Sequence, residues 1–434
     1  MEQSKYGEFT TLSMGTKTWV ILNSERAAKE IIAKRAALTH ERPHFPIAST
    51  LVSRGKRQFL MKTEDWREGR RLLHGLLLGA GAKDQGAMAE DASLGLLRNY
   101  LDECNAWYAH HFHYAVTVLN KVVFNQPTKN PRKDLEDLQK VTSTFLTSIN
   151  SSFVEFFPQL EYVPKFLQFW RAHWENMGTF HYNTFTKWWI SMKDGREPDA
   201  APSFARDKAC NEFSGDEETG MYLSILAVVA GSDNPRMAIN AFVMACIAYP
   251  ETLQKARNEI DKVCGQGATR LPGLDDMSNL PLVCATVKEV LRWRPIVPIM
   301  PQRVLVEDME FEGYKFPAGT EFLANSMAIS RNMCDDPETF RPQRWLETKG
   351  GIDQDLWQYA FSAGRRSCVG YKLAQKMLFV AYARLLYCFD FESVGKVNDR
   401  QLNYFSPGEP FPVKISVRSA AHEKLIRDQA ESKQ

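Results

Sequence analysis

The chain has 434 residues, of which 44% are hydrophobic and 24% charged, with a formal net charge of +2. That is enough chain to bury a large core, and the near-neutral balance gives no reason to expect nucleic acid as a partner. Eight scattered cysteines without a CxxC pair point to free thiols in a reducing compartment rather than a disulfide framework. No apolar run approaches the roughly 20 residues of a spanning helix: the best, Leu223 to Ala230, is short and interrupted by Ser224. No signal peptide precedes Tyr6.

Phe9 to Leu22, rich in Thr, Val and Ile, predicts a β-hairpin turning at Gly15. Asn23-Ser24 caps a short helix through Ile32. Helical patterns follow over 65–78, 87–125 and 135–195, the last broken at Phe157-Pro158 and Val163-Pro164. Residues 197–219 read as a loop with a short helix, followed by long helices over 217–248 and 250–263. Helix signal resumes over 282–292, and 304–320 alternates and turns as β. A helix follows Cys368 to about Cys388, short strands lie near 404–418, and 420–434 reads as a charged tail. The expectation is one domain over 1–434, mainly α with a small β lobe.

The densest chemistry lies in Phe361-Ser-Ala-Gly364-Arg-Arg366-Ser-Cys368-Val-Gly370. Gly364 and Gly370 permit backbone geometry closed to other residues. The arginines favour a thiolate and can fork onto carboxylates, so Cys368 suits a metal ligand. A lone cysteine is otherwise a small buried hydrophobe. Glu289 and Arg292 are i, i+3 on one helix, so they face each other, as do Trp66 and Arg70 at i, i+4. Ala230-Gly231-Ser232-Asp233-Asn234-Pro235 falls mid-way in the long helix, where Gly231 opens room and Pro235 should kink the axis. Aromatic residues crowd 153–189, mostly at core spacing. His110, His111 and His113 lack the acidic or cysteine partners of a zinc site and read as packed or solvated.

Written FxxGxRxCxG, the cysteine segment resembles the haem-binding loop of the cytochrome P450 family. Glu289-Val-Leu-Arg292 and Phe340-Arg-Pro-Gln-Arg344-Trp345 resemble its ExxR and PERF-like segments, with Gln343 where Glu is commoner. Trp66-Arg-Glu-Gly-Arg70 resembles its WxxxR helix, and Ala230 to Asn234 its oxygen-binding AGxDTT segment. The likeness runs over roughly 6–418, in the style of eukaryotic, microsomal members of fungal secondary metabolism.

The resemblance implies the P450 fold, with haem b between the long helix and the Cys-loop helix. Cys368 is then the axial iron ligand, its thiolate favouring O–O cleavage. Glu289, Arg292 and Arg344 form a buried triad. Arg366, Trp66, Arg70 and Arg303 meet the haem propionates, although Gln302 competes with Arg303 for that alignment. Phe361, Gly364 and Gly370 shape the loop. Ala230, Gly231, Asp233 and Asn234 form the oxygen side, with Asn234 in the slot of the usual Thr. Asn cannot relay a proton as a hydroxyl does, so coupling, ring closure or desaturation joins hydroxylation as the expected chemistry. The substrate is a lipophilic natural product in an apolar pocket near Val228, Val297, Ile299, Met300 and Phe405. O2 and NADPH are the co-substrates, with electrons passed by an NADPH-dependent P450 reductase that meets Arg67, Arg71, Lys372 and Lys376. The protein is a monomer. A peroxygenase, a peroxide isomerase or a non-catalytic haem module on the same fold are the alternatives. Members of this type have an N-terminal anchor helix and a proline-rich hinge and sit on the cytoplasmic face of the endoplasmic reticulum membrane. Neither segment is in this sequence, which reads as soluble; it is either shortened or begins downstream. Aromatics near 156–169 then touch the membrane surface.

Overall fold

The computed structural model describes residues 7–79, 82–126, 132–194, 203–347 and 360–432. Its architecture follows from one unusually apolar helix. In Glu217–Ala248, 24 of 32 residues are buried, so this helix runs through the middle of the molecule rather than along its surface. Asp216 caps its start, accepting from the Thr219 N–H, and Glu217 and Glu218 suit the positive end of the dipole. It runs unbroken through Pro235, where the side chain of Asn234 donates to the Ala230 carbonyl at 3.0 Å.

The helix Tyr371–Cys388 packs against the central helix through Phe242 and Tyr382, stacked at 4.1 Å and 9°. The Tyr382 hydroxyl donates to the Ala238 carbonyl at 2.9 Å, which fixes the register of the two helices. Helix Trp107–Phe124 lies along the central helix, and its neighbour Gln85–Asp102 touches Tyr371–Cys388. Between them a buried relay runs from Tyr100 to the central helix. The Tyr100 hydroxyl donates to His111 Nε2 at 2.6 Å, and His111 Nδ1 donates to Asn240 Oδ1 at 2.7 Å. Burial pushes His111 down to about 3, so it is a neutral core histidine. Among the described residues no group of three or more His, Cys, Asp or Glu side chains could hold a metal ion.

Strands form three small sheets. In the largest, β1 (Phe9–Met14) pairs antiparallel with β2 (Lys17–Leu22), β2 pairs parallel with β6 (Glu321–Ala324), and β3 (Arg303–Val304) closes the order β1-β2-β6-β3. β4 (Met309–Phe311) with β5 (Tyr314–Phe316), and β7 (Phe389–Ser393) with β8 (Val413–Val417), are hairpin-like pairs. Two sequence expectations change. The 87–125 pattern splits into two helices around Cys104–Ala106. The charged tail is largely a helix, Ala420–Glu431, whose buried His422 and Ile426 face the Gln85–Asp102 helix. Its i, i+4 pair Glu423–Arg427 is the solvated side of an amphipathic helix, which resembles a tail in composition.

The segment Pro46–Leu51 is held from the far side by a buried acid. Glu155 accepts from the Ile47 and Ala48 N–H groups at 3.0 and 3.2 Å, and its second oxygen has no partner. Burial pushes its pKa up to about 7, against the pull of those two donors. Between the ordinary value of 4.5 and about 7, the folded protein keeps a proton that the unfolded chain has lost. Folding stability should therefore fall as pH rises through that window, by about 2–3 kcal/mol in total. Denaturant titrations of the wild type and Glu155→Gln across the window check this, because the variant should lack that portion of the slope.

Candidate active site

Two parts of the molecule carry the chemistry of the candidate site. On the central helix, the only residues from 220 to 247 that are not buried are Ala227, Ala230, Gly231 and Asn234. Their 3-1-3 spacing is a single face of one helix. That face is where the oxygen-side residues were expected, and Ala230 and Asn234 are its exposed members. Gly231 serves packing instead, since a Cβ there would lie 2.9 Å from Leu119. It allows the close approach of helix Trp107–Phe124. Asp233 points away from the stripe and is buried, with its Oδ1 2.7 Å from Arg236 Nε. Arg236 also donates to the Ser406 and Phe405 carbonyls at 2.7 and 3.1 Å.

The second is the cysteine loop. Cys368 N–H donates to the Phe361 carbonyl at 2.8 Å, closing the loop before the helix that starts at Tyr371. Gly364 has φ +67, and a Cβ there would meet the Ile32 carbonyl oxygen at 2.5 Å, so no side chain fits. Gly370 is the N-cap, and a Cβ on it would come within 3.9 Å of Cys368 Sγ. Cys368 is exposed by area, yet the surrounding protein desolvates the thiol and pushes its pKa up. The Gly370 N–H and Arg70 pull it back only in part. The sequence led us to expect the loop arginines to lower it; the difference arises because Arg366 spends its donors elsewhere.

Arg366 donates to the His40 and Met61 carbonyls, both at 3.0 Å, and to Thr63 Oγ1 at 3.2 Å. Its guanidinium lies 4.1 Å over the buried Trp66 ring, and Arg70 is 5.7 Å from the same ring. Arg303 reaches the loop through Ser362 Oγ at 3.0 Å, whereas Gln302 turns to Asn150. That choice could not be read from the sequence. Arg42 was missed altogether: it is buried behind Arg303 and donates to the Phe59, Pro301 and Gln302 carbonyls. Its only sequence signal was the run His40-Glu41-Arg42.

These cations crowd each other. Burial first, then Arg366 and Arg70, push Arg303 down to about 9. Burial takes Arg366 to about 10, although Glu41 at 3.8 Å opposes the shift. Arg366 Nη1 is buried with no partner. One carboxylate beside so many guanidiniums leaves room for more negative charge. A thiol, a buried indole face and an arginine set that calls for carboxylates fit a haem with its two propionates.

Behind the loop, Glu289 is fully buried and takes five donors. Arg292 is bidentate at 2.9 and 2.8 Å, Arg344 Nε is at 3.2 Å, the Arg341 N–H at 2.9 Å and the Trp345 indole at 2.9 Å. The remaining guanidinium donors go to carbonyls, among them Pro337 at 2.9 Å and Asp335 at 3.0 Å. Of the expected pocket residues, Ile299 is exposed, Phe405 is 37% exposed and Val297 is half-buried. Val228 and Met300 are buried. Val228 faces the core of the central helix, and Met300 packs into the β lobe beside Ala324.

Arg292→Ala would leave a buried carboxylate short of its bidentate partner. We expect a loss of about 3–5 kcal/mol in denaturant titration, with poor haem retention. An unchanged midpoint with full haem content would contradict a scaffold role.

The comparisons agree with this geometry. Relatives include a cytochrome P450 monooxygenase, aneD, of Aspergillus aculeatus, 29% identical over 97% of this chain and 84% of its own length. Cytochrome P450 monooxygenase FrzL of Cladobotryum is 29% identical over 97% of this chain and 83% of its own. Monooxygenase 113 of Postia placenta is 31% identical over 88% of this chain and 78% of its own. A zebra fish cytochrome P450 solved with abiraterone superposes with a TM-score of 0.76 at 21% identity, over 96% of this chain and 98% of that one, and so shares the fold. The family model described as cytochrome P450 matches residues 2–410, and the chain belongs to the cytochrome P450 family of monooxygenases.

Proposed function

We propose that the protein oxidises a lipophilic natural product with O2, drawing electrons from NADPH through a flavoprotein reductase. What supports this best is the pairing of a thiol loop whose arginines outnumber their carboxylates with a stripe on the central helix, Ala230–Asn234, that packing leaves bare. Bound between them, haem b would supply the iron that activates oxygen. Cys368 would ligate its iron through the thiolate, and Arg366, Arg303, Arg70 and Trp66 would hold its propionates. Arg67, Arg71 and Lys372 are exposed on the helices flanking the loop and suit an acidic partner face. Phe153, Phe157, Tyr162, Phe166 and Phe169 are all exposed, Tyr162 at 89%, which suits contact with a membrane surface. Among the described residues no helix is long and apolar enough to cross a membrane.

The oxygen side favours a specialised reaction. The Asn234 amide is engaged by the Ala230 carbonyl, and Asp233 is held by Arg236 at 2.7 Å. Neither side chain offers a free hydroxyl or a free acid to the stripe. Proton delivery then falls to water or to a hydroxyl on the substrate, and the reading favours coupling, ring closure or desaturation over simple insertion.

Two outcomes are expected. Cys368→Ser should fold with a midpoint close to wild type but lose the ferrous–CO signature of a thiolate haem; a retained signature would remove Cys368 as the ligand. Turnover under labelled O2 should give a native product with no label at the oxidised carbon, read by mass spectrometry. Clean single-label insertion would rule out the specialised chemistry. Product formed with peroxide but never with NADPH and reductase would favour the reductase-independent alternative.

A further inference from the structure

Glu41 sits among the arginines of the cysteine loop without hydrogen-bonding to any of their side chains. Its Oε1 accepts from the Arg42 N–H at 2.9 Å and from the Thr63 N–H at 3.0 Å, and its Oε2 lies 3.3 Å from the same Thr63 nitrogen. Its backbone carbonyl accepts from the Val304 N–H at 2.9 Å, which ties it to the residue after Arg303. Thr63 opens the helix Thr63–Leu77 that carries Trp66 and Arg70, and the cap residue Lys62 makes no side-chain bond to that helix end. Glu41 supplies the missing cap from 22 residues upstream. A carboxylate there also suits the positive end of the helix dipole.

Arg366 lies across the same knot. It donates to the His40 and Met61 carbonyls, both at 3.0 Å, and to Thr63 Oγ1 at 3.2 Å. Its Nη2 is 3.8 Å from Glu41 Oε1, close enough for attraction and too far for a hydrogen bond. Oε1 is already engaged by two backbone N–H groups, which hold it off the guanidinium. Nη1 of Arg366 has no partner, although the side chain is only 2% exposed. Among the described residues Glu41 is the only carboxylate within 4 Å of Arg42, Arg70, Arg303 or Arg366. A carboxylate forked onto Arg366 would fill the donors that a propionate needs. Glu41 instead lowers the net charge of the cradle and leaves those donors open.

We propose that Glu41 is a positioning residue of the haem pocket: it fixes the start of the Trp66 helix beside Arg366, and as a third negative charge near the two propionates it lowers the reduction potential of the iron and loosens the hold on haem. This rests on Arg366 meeting a haem propionate. Reduction adds an electron to the haem, so a nearby negative charge opposes it. The same charge repels the propionates, whereas the cap keeps Trp66 and Arg70 in place. Charge and cap therefore act on haem retention with opposite signs.

Glu41→Gln keeps the Oε1 acceptor and removes the charge, and Glu41→Ala removes both. Haem release is followed by transfer to excess apomyoglobin, and the ferric–ferrous midpoint by spectroelectrochemistry; neither measures turnover. Glu41→Gln should raise the midpoint potential and slow haem release by about three- to tenfold, with a thermal midpoint close to wild type. Glu41→Ala should speed release and lower the thermal midpoint. With haem dimethyl ester, which has no propionate charge, Glu41→Gln should release at the wild-type rate. Arg366→Met tests the underlying reading by itself: it should speed release of haem far more than release of the dimethyl ester. Release from Glu41→Gln at or above the wild-type rate, an unchanged potential, or a slowing that persists with the dimethyl ester would overturn the charge role while Arg366 keeps its propionate. Slower release from Glu41→Ala would overturn the cap. An equal effect of Arg366→Met on both haems would instead remove Arg366 from the propionates, and the proposal with it.

Discussion

Glu289 is the residue on which the rest of the structure depends. Its carboxylate is fully buried, a state that desolvation forbids unless almost every lone pair is used. Five donors from two segments about fifty residues apart meet that demand: Arg292 on one helix, and Arg341, Arg344 and Trp345 on the meander. The same guanidiniums then collect the carbonyls of Ser330, Asp335, Asp336, Pro337 and Thr339. An irregular segment with no ladder of its own thereby gets its backbone hydrogen bonds. The cysteine loop is closed locally, with the Cys368 N–H on the Phe361 carbonyl.

The central helix sets the other boundary. Phe242 and Tyr382 fix its separation from the cysteine helix, and Gly231 lets Leu119 approach from the side. The stripe left bare is narrow, one residue wide for most of its length, so the chemistry offered there is that of Ala230 and Asn234 alone. Charge on the opposite side is abundant and lopsided, with Arg42, Arg70, Arg303 and Arg366 around Glu41.

What the sequence showed and what it concealed follow from the range of each interaction. The cysteine loop is local: its glycines and arginines lie within ten residues, and their spacing is the geometry. The Glu289–Arg292 pair is one turn of helix, and the long helix announces itself by composition. The depth of Val228 was not legible, because a helix apolar on every side has no polar face from which to read its phase. Arg42 depends on the Pro301 carbonyl 259 residues away, and the choice of Arg303 over Gln302 on Ser362 and Asn150, 59 and 152 residues away.

Arg236 addresses three oxygens at once: a carboxylate on its own helix and the carbonyls of Phe405 and Ser406. Neither contact with the loop uses a side chain. Position 405 can therefore change size or shape through evolution while the strap and the acid stay where they are. The hold of this loop on the central helix lies in its backbone, so its side chains can change one residue at a time without loosening it.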